Sequence, residues 1–158
     1  MRNKILSHIY IIYNMSSEIV EFYKNKTIFI TGATGFLGKA LVEKLLRSCY
    51  DLKHIYMLVR AKKGKLAHDR LDEITNCQLF ENVSKMYPDY KNKLVIIQGD
   101  LSEENMGISD HDMKLIISNV NIVFHSAATV RFDEPLKYVK KVFSQYSFCH
   151  KLVKSAPK

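Results

Sequence analysis

The sequence predicts an α/β fold in which helices cover both faces of a parallel β-sheet. Four short apolar runs, rich in β-branched residues, alternate along the chain with segments of helical periodicity. These runs are nearly continuous in apolar residues, as in parallel strands that are buried on both faces. Strands joined through helices form right-handed β-α-β units, so we predict a doubly wound sheet of about four strands.

A glycine-containing loop separates the first predicted strand from the first predicted helix. Residues 27–30 (Thr-Ile-Phe-Ile) form the strand, which stops at Thr31-Gly32. Helical periodicity begins at Phe36 and ends near Tyr50, with charged residues such as Glu43 mostly off the apolar face. The apolar face predicted for this helix consists of Leu37, Ala40, Leu41 and Leu45.

A long, loosely patterned segment lies between the second and third predicted strands. Residues 54–59 (His-Ile-Tyr-Met-Leu-Val) are the second strand, followed by a basic loop. Residues 66–86 are helix-like, and Pro88 must end any helix there because proline disfavours helical backbone before it. Residues 94–98 (Leu-Val-Ile-Ile-Gln) are the third strand.

The last predicted helix and strand follow a serine cap. Ser109 lies three residues before Asp112, a spacing related to the capping box, and the helix body is residues 113–118. Residues 120–125 (Val-Asn-Ile-Val-Phe-His) form the fourth strand, after which the side chains become small. The order of strands and helices therefore predicts an incomplete Rossmann-like sheet of about four parallel strands.

The positive charge of the chain is concentrated at its carboxyl end. The net charge is +8, but six lysines and no acid lie in residues 137–158, so residues 1–136 carry only +2. That balance gives the α/β part no basic face for nucleic acid. Residues 137–158 are predicted as a basic amphipathic helix, which either covers the sheet or lies on a membrane surface.

Cysteine and hydropathy patterns exclude several classes of protein. The three cysteines form no Cys-x-x-Cys pair, so neither a disulfide framework nor a metal site is predicted. No apolar run reaches the ~18–20 residues that cross a bilayer as a helix. We expect an intracellular protein, since the apolar run at residues 9–13 is short for a signal peptide.

The loop of residues 31–38 (Thr-Gly-Ala-Thr-Gly-Phe-Leu-Gly) predicts a dinucleotide site. Its glycines, at positions 32, 35 and 38, lie between a strand and a helix, as in a Rossmann-like fold. Gly32 permits the tight turn, Gly35 lets a pyrophosphate approach the backbone, and Gly38 lets the helix pack closely. A mononucleotide P-loop is excluded because Gly38-Lys39 is followed by alanine.

The residue that ends the second strand indicates which dinucleotide binds. Arg60 stands where an enzyme specific for NAD carries an acid for the ribose hydroxyl, and Lys62 and Lys63 follow it. A guanidinium pairs with a 2′-phosphate, which an acid would repel. NADPH is therefore the predicted cofactor, the alternative being that Arg60 is only a solvated charge at a strand end.

Several segments together resemble one family of the extended short-chain dehydrogenase/reductases, the fatty acyl-CoA reductases. The segments are residues 21–23, 31–38, 58–64, 99–102 and 123–134, and the resemblance covers about residues 16–136. It implies reduction of fatty acyl-CoA to fatty alcohol with NADPH, in the cytoplasm or at the peroxisomal or endoplasmic reticulum membrane. Other extended reductases, acting on sugars or steroids, fit the segment 123–134 less well.

The resemblance also implies roles for individual residues. Asp100 would accept from the adenine amino group beside Leu101, although Gly-Asp is also a common turn. Ala127 and Ala128 would leave room for the ribose and pyrophosphate. The residues expected to bind the cofactor are Thr31, Gly32, Thr34, Gly35, Phe36, Leu37, Gly38, Arg60, Lys63, Asp100, Leu101, Ala127 and Ala128.

No catalytic residue is predicted within the 158 residues. The family's reaction needs a Tyr-x-x-x-Lys pair on a helix, and the chain has that spacing only at Tyr87 and Lys91, with Pro88 between them. His125 could act as a base at a strand end, but we interpret it as a partly buried ring with one satisfied nitrogen. The chain is therefore expected to be a fragment or truncated product, inactive alone.

Three regions follow from these observations. Residues 1–14 are a disordered or non-native leader, because members of the family commonly begin near the equivalent of Met15. Residues 15–136 are the partial NADP-binding domain, and residues 137–158 are the basic tail. An alternative to the enzyme is a dinucleotide-binding module without turnover that regulates intact paralogues by dimerising with them. The sequence does not define the oligomeric state.

Overall fold

The computed structural model describes residues 18–61, residues 67–127 and Cys149. The leader, most of the basic tail, Lys63 and Ala128 lie outside the described residues, so the predictions made for them stay predictions. Residues 18–23 form helix α1 at the start of the described chain. The fold is described below from β1 onward.

The described strands form one parallel sheet in the order β3-β2-β1-β4. β1 (Thr27–Thr31) pairs with β2 (His54–Val59) on one side and with β4 (Ile122–His125) on the other, and β2 pairs with β3 (Leu94–Gln98). The chain thus moves outward from β1 to β3 and then returns to the other side of β1. This reversal creates a crevice at the carboxyl ends of β1 and β4, where ligands bind in sheets of this type.

The predicted bounds of β2 and β3 are confirmed, whereas β4 begins two residues later than predicted. Val120 belongs to the end of the preceding helix, where its N–H donates to the carbonyl of Ile116 at 2.9 Å. Asn121 exchanges hydrogen bonds with Thr27, donating from its N–H to the carbonyl and accepting the Thr27 N–H at its Oδ1, both at 2.9 Å. These contacts align the start of β4 with the start of β1.

The loosely patterned segment forms two short helices instead of one. Helix α3 (Leu71–Thr75) is followed by an extended residue, Cys77 (φ −142°, ψ 158°), a 3₁₀ turn, and helix α4 (Glu81–Met86). The break lets Ile74, Phe80 and Val83 all face the same core. The segment does not form one continuous helix, because packing onto the sheet overrides its weak helical periodicity.

Helices α2 (Phe36–Ser48) and α5 (Asp110–Asn119) cover opposite faces of the sheet. Val42, Leu45 and Leu46 of α2 pack with Ile28 and Ile30 of β1, whereas Ile116 of α5 packs with Phe29. The doubly wound arrangement is therefore confirmed. Ser109 accepts from the Asp112 N–H at 3.1 Å, so the predicted cap is confirmed as well.

The apolar face predicted for the first helix is confirmed at Leu45, which is buried, and at Leu41, which packs against the core, but it is wrong at Leu37. Leu37 is 68% exposed, and the buried positions are 38, 42, 45 and 46, the i, i+4, i+7, i+8 pattern of a single helical face. Glu43, expected on the polar side, is buried and accepts from Arg47 Nε at 2.6 Å. An ion pair one turn away is what makes this burial tolerable.

The described residues were also compared with what a membrane-spanning helix and a metal site require. None of their helices combines the length and the apolar character that a membrane crossing requires. In the same residues, no group of three or more His, Cys, Asp or Glu side chains is arranged to hold a metal ion.

Candidate functional site

The glycine loop connects β1 to α2 at the crevice between β1 and β4. Gly32 has a positive φ of +76°, and a Cβ there would lie 2.7 Å from the backbone nitrogen of Ala127. Only glycine allows this turn and this close approach of two backbones. Gly32 therefore fixes the loop against the end of β4.

Gly38 has an equally tight environment within the loop itself. A Cβ at this position would overlap the carbonyl oxygen of Gly32 and lie 2.7 Å from Cα of Ala33. The first turn of α2 is therefore packed directly on the loop. Gly32 and Gly38 serve the protein's own packing, as the sequence predicted.

Gly35 differs from the other two glycines because its surroundings are open. A Cβ at Gly35 would meet the Gly32 carbonyl oxygen at 3.4 Å, an ordinary van der Waals distance, and the residue is exposed. Its φ of −79° and ψ of 170° suit any L-residue. The fold itself therefore has no steric need for glycine at this position.

The N-terminus of α2 presents the positive end of a thirteen-residue helix to the same crevice. No described side chain caps it, and its first turn holds no acid. The first N–H groups of a helix lack intrahelical acceptors and, with the helix dipole, favour a bound anion. Phe36 and Leu37, both predicted to contact the cofactor, are 88% and 68% exposed at this end, and Thr34 is half-buried.

Thr31 joins the two strands that flank the crevice. Its side chain is fully buried, its Oγ1 lies 2.7 Å from Nδ1 of His125, and its carbonyl accepts from Ser126 Oγ at 2.8 Å. Burial lowers the pKa of His125, which keeps the ring neutral. His125 is thus half-buried with a bonded nitrogen, as interpreted from the sequence. Ser126 was not singled out, because its partner is 95 residues away.

Arg60 and Asp100 come together at the carboxyl ends of β2 and β3. Arg60 Nη1 lies 3.7 Å from Asp100 Oδ2, and the Arg60 side chain is 69% exposed. The carbonyl of Arg60 accepts from Nη1 of Arg70 at 2.7 Å. Leu101 and Ala127 are both half-buried, three residues after the end of β3 and two residues after the end of β4, respectively. Neither the Arg60–Asp100 pair nor Arg70 was predicted, because both contacts are non-local.

The carboxyl group of Asp100 is held in its ionised form. Burial alone would raise its pKa, but hydrogen bonds from the Ser102 N–H and hydroxyl, together with the charge of Arg60, bring that pKa below its ordinary value. Both Ser102 donors bind Oδ1 at 2.8 Å. The carboxyl ends of β2 and β3 therefore carry the ionised Asp100 carboxylate beside the accessible Arg60 guanidinium.

The Tyr87 and Lys91 side chains have separate partners, as expected for a chance spacing. The Tyr87 ring stacks on Tyr50 with centroids 3.6 Å apart, whereas Lys91 Nζ donates to Asp72 at 2.7 Å. A cavity of about 480 Å³ borders Lys91 and the junction of α3 and α4, and it shares no residue with the predicted cofactor site.

Known proteins similar to this chain are reductases. The profile of the Male sterility protein family, one of NAD-binding proteins, matches residues 30–145. Fatty acyl-CoA reductase 1 of Gallus gallus is 45% identical over 120 residues, and fatty acyl-CoA reductase 2 of Bos taurus is 48% identical over 122 residues. These matches cover 76% and 77% of this chain but only 23% and 24% of the relatives, so the chain spans about a quarter of their length.

Solved structures give the same picture of the fold. The terminal R domain of the myxalamid PKS-NRPS biosynthetic pathway superposes with a TM-score of 0.65 at 26% identity, over 84% of this chain and 33% of that domain. The reductase domain of a nonribosomal peptide synthetase from Mycobacterium tuberculosis gives a TM-score of 0.62 at 26% identity, over 85% of this chain and 32% of that chain. The described α/β unit therefore has the fold of about a third of such reductase domains.

Proposed function

Since the chain belongs to the Male sterility protein family and is homologous to the fatty acyl-CoA reductases, we propose that it is an NADPH-binding unit for the reduction of fatty acyl-CoA to alcohol. The observation that carries the proposal is the open Gly35 at the uncapped N-terminus of α2. It lies in a loop whose other glycines are required by packing. NADPH, when bound, supplies the hydride for such a reduction.

The pyrophosphate would bind at the glycine loop. Its charge would be received by the first N–H groups of α2, those of Phe36 and Leu37 among them, with Gly35 leaving space for the phosphate oxygens. Thr31 contributes through its contacts with β4 and not through a free hydroxyl, because that hydroxyl is buried against His125. Thr34 and Ala127 would line the same side of the crevice.

The adenosine end would bind across the ends of β2 and β3. Asp100 can accept from the adenine amino group and Leu101 can flank the ring, while the exposed Arg60 guanidinium can pair with the 2′-phosphate. The ionised carboxylate of Asp100 and the accessible Arg60 guanidinium support this assignment. Of the two, the guanidinium is the group that would favour NADPH over NADH, because adenine is common to both cofactors.

A second candidate function is a dinucleotide-binding module without turnover. The observation that favours it is that the single Tyr-x-x-x-Lys spacing, at Tyr87 and Lys91, lies away from the crevice with other partners. Both candidates require NADPH binding. They differ in whether the bound NADPH serves the reduction of acyl-CoA or serves no turnover at all.

Replacing Arg60 with glutamate tests the choice of cofactor. We expect the variant to bind NADPH more weakly by about 1.5–3 kcal/mol, roughly 10- to 150-fold, because a charge-assisted hydrogen bond is lost and a repulsive charge is added. NADH affinity should change little. Titration of both cofactors by fluorescence measures this difference.

The matched control is Lys53→Glu, the same change of charge on an exposed residue at the opposite end of β2. It should leave the ratio of the two affinities unchanged. Equal affinity of the parent protein for NADPH and NADH would refute the preference. If the parent protein binds neither NADPH nor NADH, the proposed function as a whole is refuted.

A further inference from the structure

The loop after β3 holds Asp100 on three sides. Its N–H donates to the carbonyl of Met106 at 2.7 Å, and its carbonyl accepts from the Glu103 N–H at 2.9 Å. Its Oδ1 accepts from both the N–H and the hydroxyl of Ser102 at 2.8 Å. Oδ2, which faces Arg60 at 3.7 Å, is the polar atom of Asp100 left directed toward the cofactor side.

The backbone of this loop is shaped around that arrangement. Met106 is fully buried with a φ of +60°, a conformation that L-residues seldom adopt, and its carbonyl occupies the space that a Cβ at Gly99 would need. The backbone of Asp100 is consequently fixed. The remaining freedom is the rotation of its carboxyl group, which the two Ser102 hydrogen bonds restrict at Oδ1 and the Arg60 guanidinium faces at Oδ2.

We propose that Ser102 is a positioning residue for the adenine end of the cofactor site. By holding Oδ1 of Asp100, it turns Oδ2 toward the position where the adenine amino group would donate. This inference rests on the proposed function and adds to it a residue that does not itself touch the cofactor. Serine suits the role because its short hydroxyl reaches a carboxylate two residues back.

The role of Ser102 predicts a different signature from that of Arg60. Adenine is common to NADPH and NADH, so loss of the Ser102 hydroxyl should weaken both cofactors by the same factor. Loss of Arg60 should weaken NADPH alone. A purely structural defect in the loop would instead persist after Asp100 itself is removed.

Four variants test the assignment: Ser102→Ala, Ser102→Thr, Asp100→Ala and the double variant Ser102→Ala with Asp100→Ala. We expect Ser102→Ala to weaken NADPH and NADH equally, by about tenfold, the equivalent of one hydrogen bond to a charged group. Ser102→Thr, which keeps the hydroxyl, should restore parental affinity. In the Asp100→Ala background, Ser102→Ala should have no further effect. Thermal melting of each sample first establishes that it is folded at the titration temperature.

Three results would overturn this role while leaving the proposed function intact. They are parental affinity of Ser102→Ala, an effect on NADPH alone, and an undiminished effect of Ser102→Ala in the Asp100→Ala background. A parent protein that binds neither cofactor would overturn the proposed function and this assignment together.

Discussion

Replacing Gly35 with valine is expected to eliminate measurable NADPH and NADH binding while the sheet and helices stay folded. A β-branched side chain would fill the space where the pyrophosphate approaches the backbone, at a cost of about 1–3 kcal/mol in steric conflict, in addition to the lost hydrogen bonds. The combined loss corresponds to roughly 100-fold or more in affinity. The parent fold has room for the Cβ of the new side chain, which would meet only the Gly32 oxygen at 3.4 Å.

Two related variants test whether binding is lost because the new side chain occupies the space of the ligand and not because the protein unfolds. Gly35→Ala adds a smaller side chain at the same place and should bind with intermediate affinity. Gly38→Ala should instead lower the melting temperature, because its Cβ would overlap the Gly32 carbonyl oxygen. Circular dichroism and fluorescence titration on the same samples separate folding from binding. Parental affinity in folded Gly35→Val would mean that the loop does not receive a phosphate.

The parts of the fold that the sequence predicted are those decided by local chemistry. β2 and β3 have the predicted bounds because both are nearly continuous apolar runs, and such runs have few alternatives to a buried strand. The Ser109 cap depends on a hydrogen bond between residues that are only three positions apart in the sequence. The glycine loop is equally local, so its turn at Gly32 and its close packing at Gly38 followed from spacing alone.

The errors occurred where distant residues decide the outcome. The start of β4 depends on Asn121, which bonds to Thr27 across 94 residues. Glu43 is the exception, because its partner Arg47 is only four residues away: the pair allows burial of a glutamate that a simple count of polar and apolar residues gives to the surface. The segment with weak periodicity broke at Cys77 because the core beneath it determined the packing.

The candidate site shows the same division. Each predicted residue from Thr31 to Gly38 lies at the crevice, and the structure adds that the surroundings of Gly35 are sterically open. Arg60 and Asp100 were predicted separately, as the last residues of their segments, and their pairing follows from the neighbouring positions of β2 and β3. Ser102 is the last residue of the segment 99–102 that resembles the family, but the sequence assigns it no role of its own. The positioning role of its hydroxyl can be recognised only from the orientation of the Asp100 carboxylate, which the structure provides.

The isolated 158-residue chain is expected to bind NADPH without reducing fatty acyl-CoA at a useful rate. General acid catalysis of the kind that a Tyr-x-x-x-Lys pair provides typically contributes about 10²–10⁴ in rate. The chain carries that spacing only at Tyr87 and Lys91, whose side chains have other partners. Most of the relatives' length has no counterpart in this chain, so orientation of the thioester, worth further powers of ten, is not assured.

The measurement is NADPH oxidation by purified protein with long-chain acyl-CoA, together with analysis of aldehyde and alcohol. Fluorescence titration on the same preparation should show NADPH binding, which distinguishes a chain that binds without turnover from one that is merely misfolded. Gly35→Val is the matched control, because any genuine turnover must disappear when the cofactor is displaced. Alcohol or aldehyde formed by the parent and lost in Gly35→Val would contradict this prediction. It would mean that proton transfer is carried by a group other than a Tyr-x-x-x-Lys pair, and the crevice between β1 and β4 would be the first place to seek it.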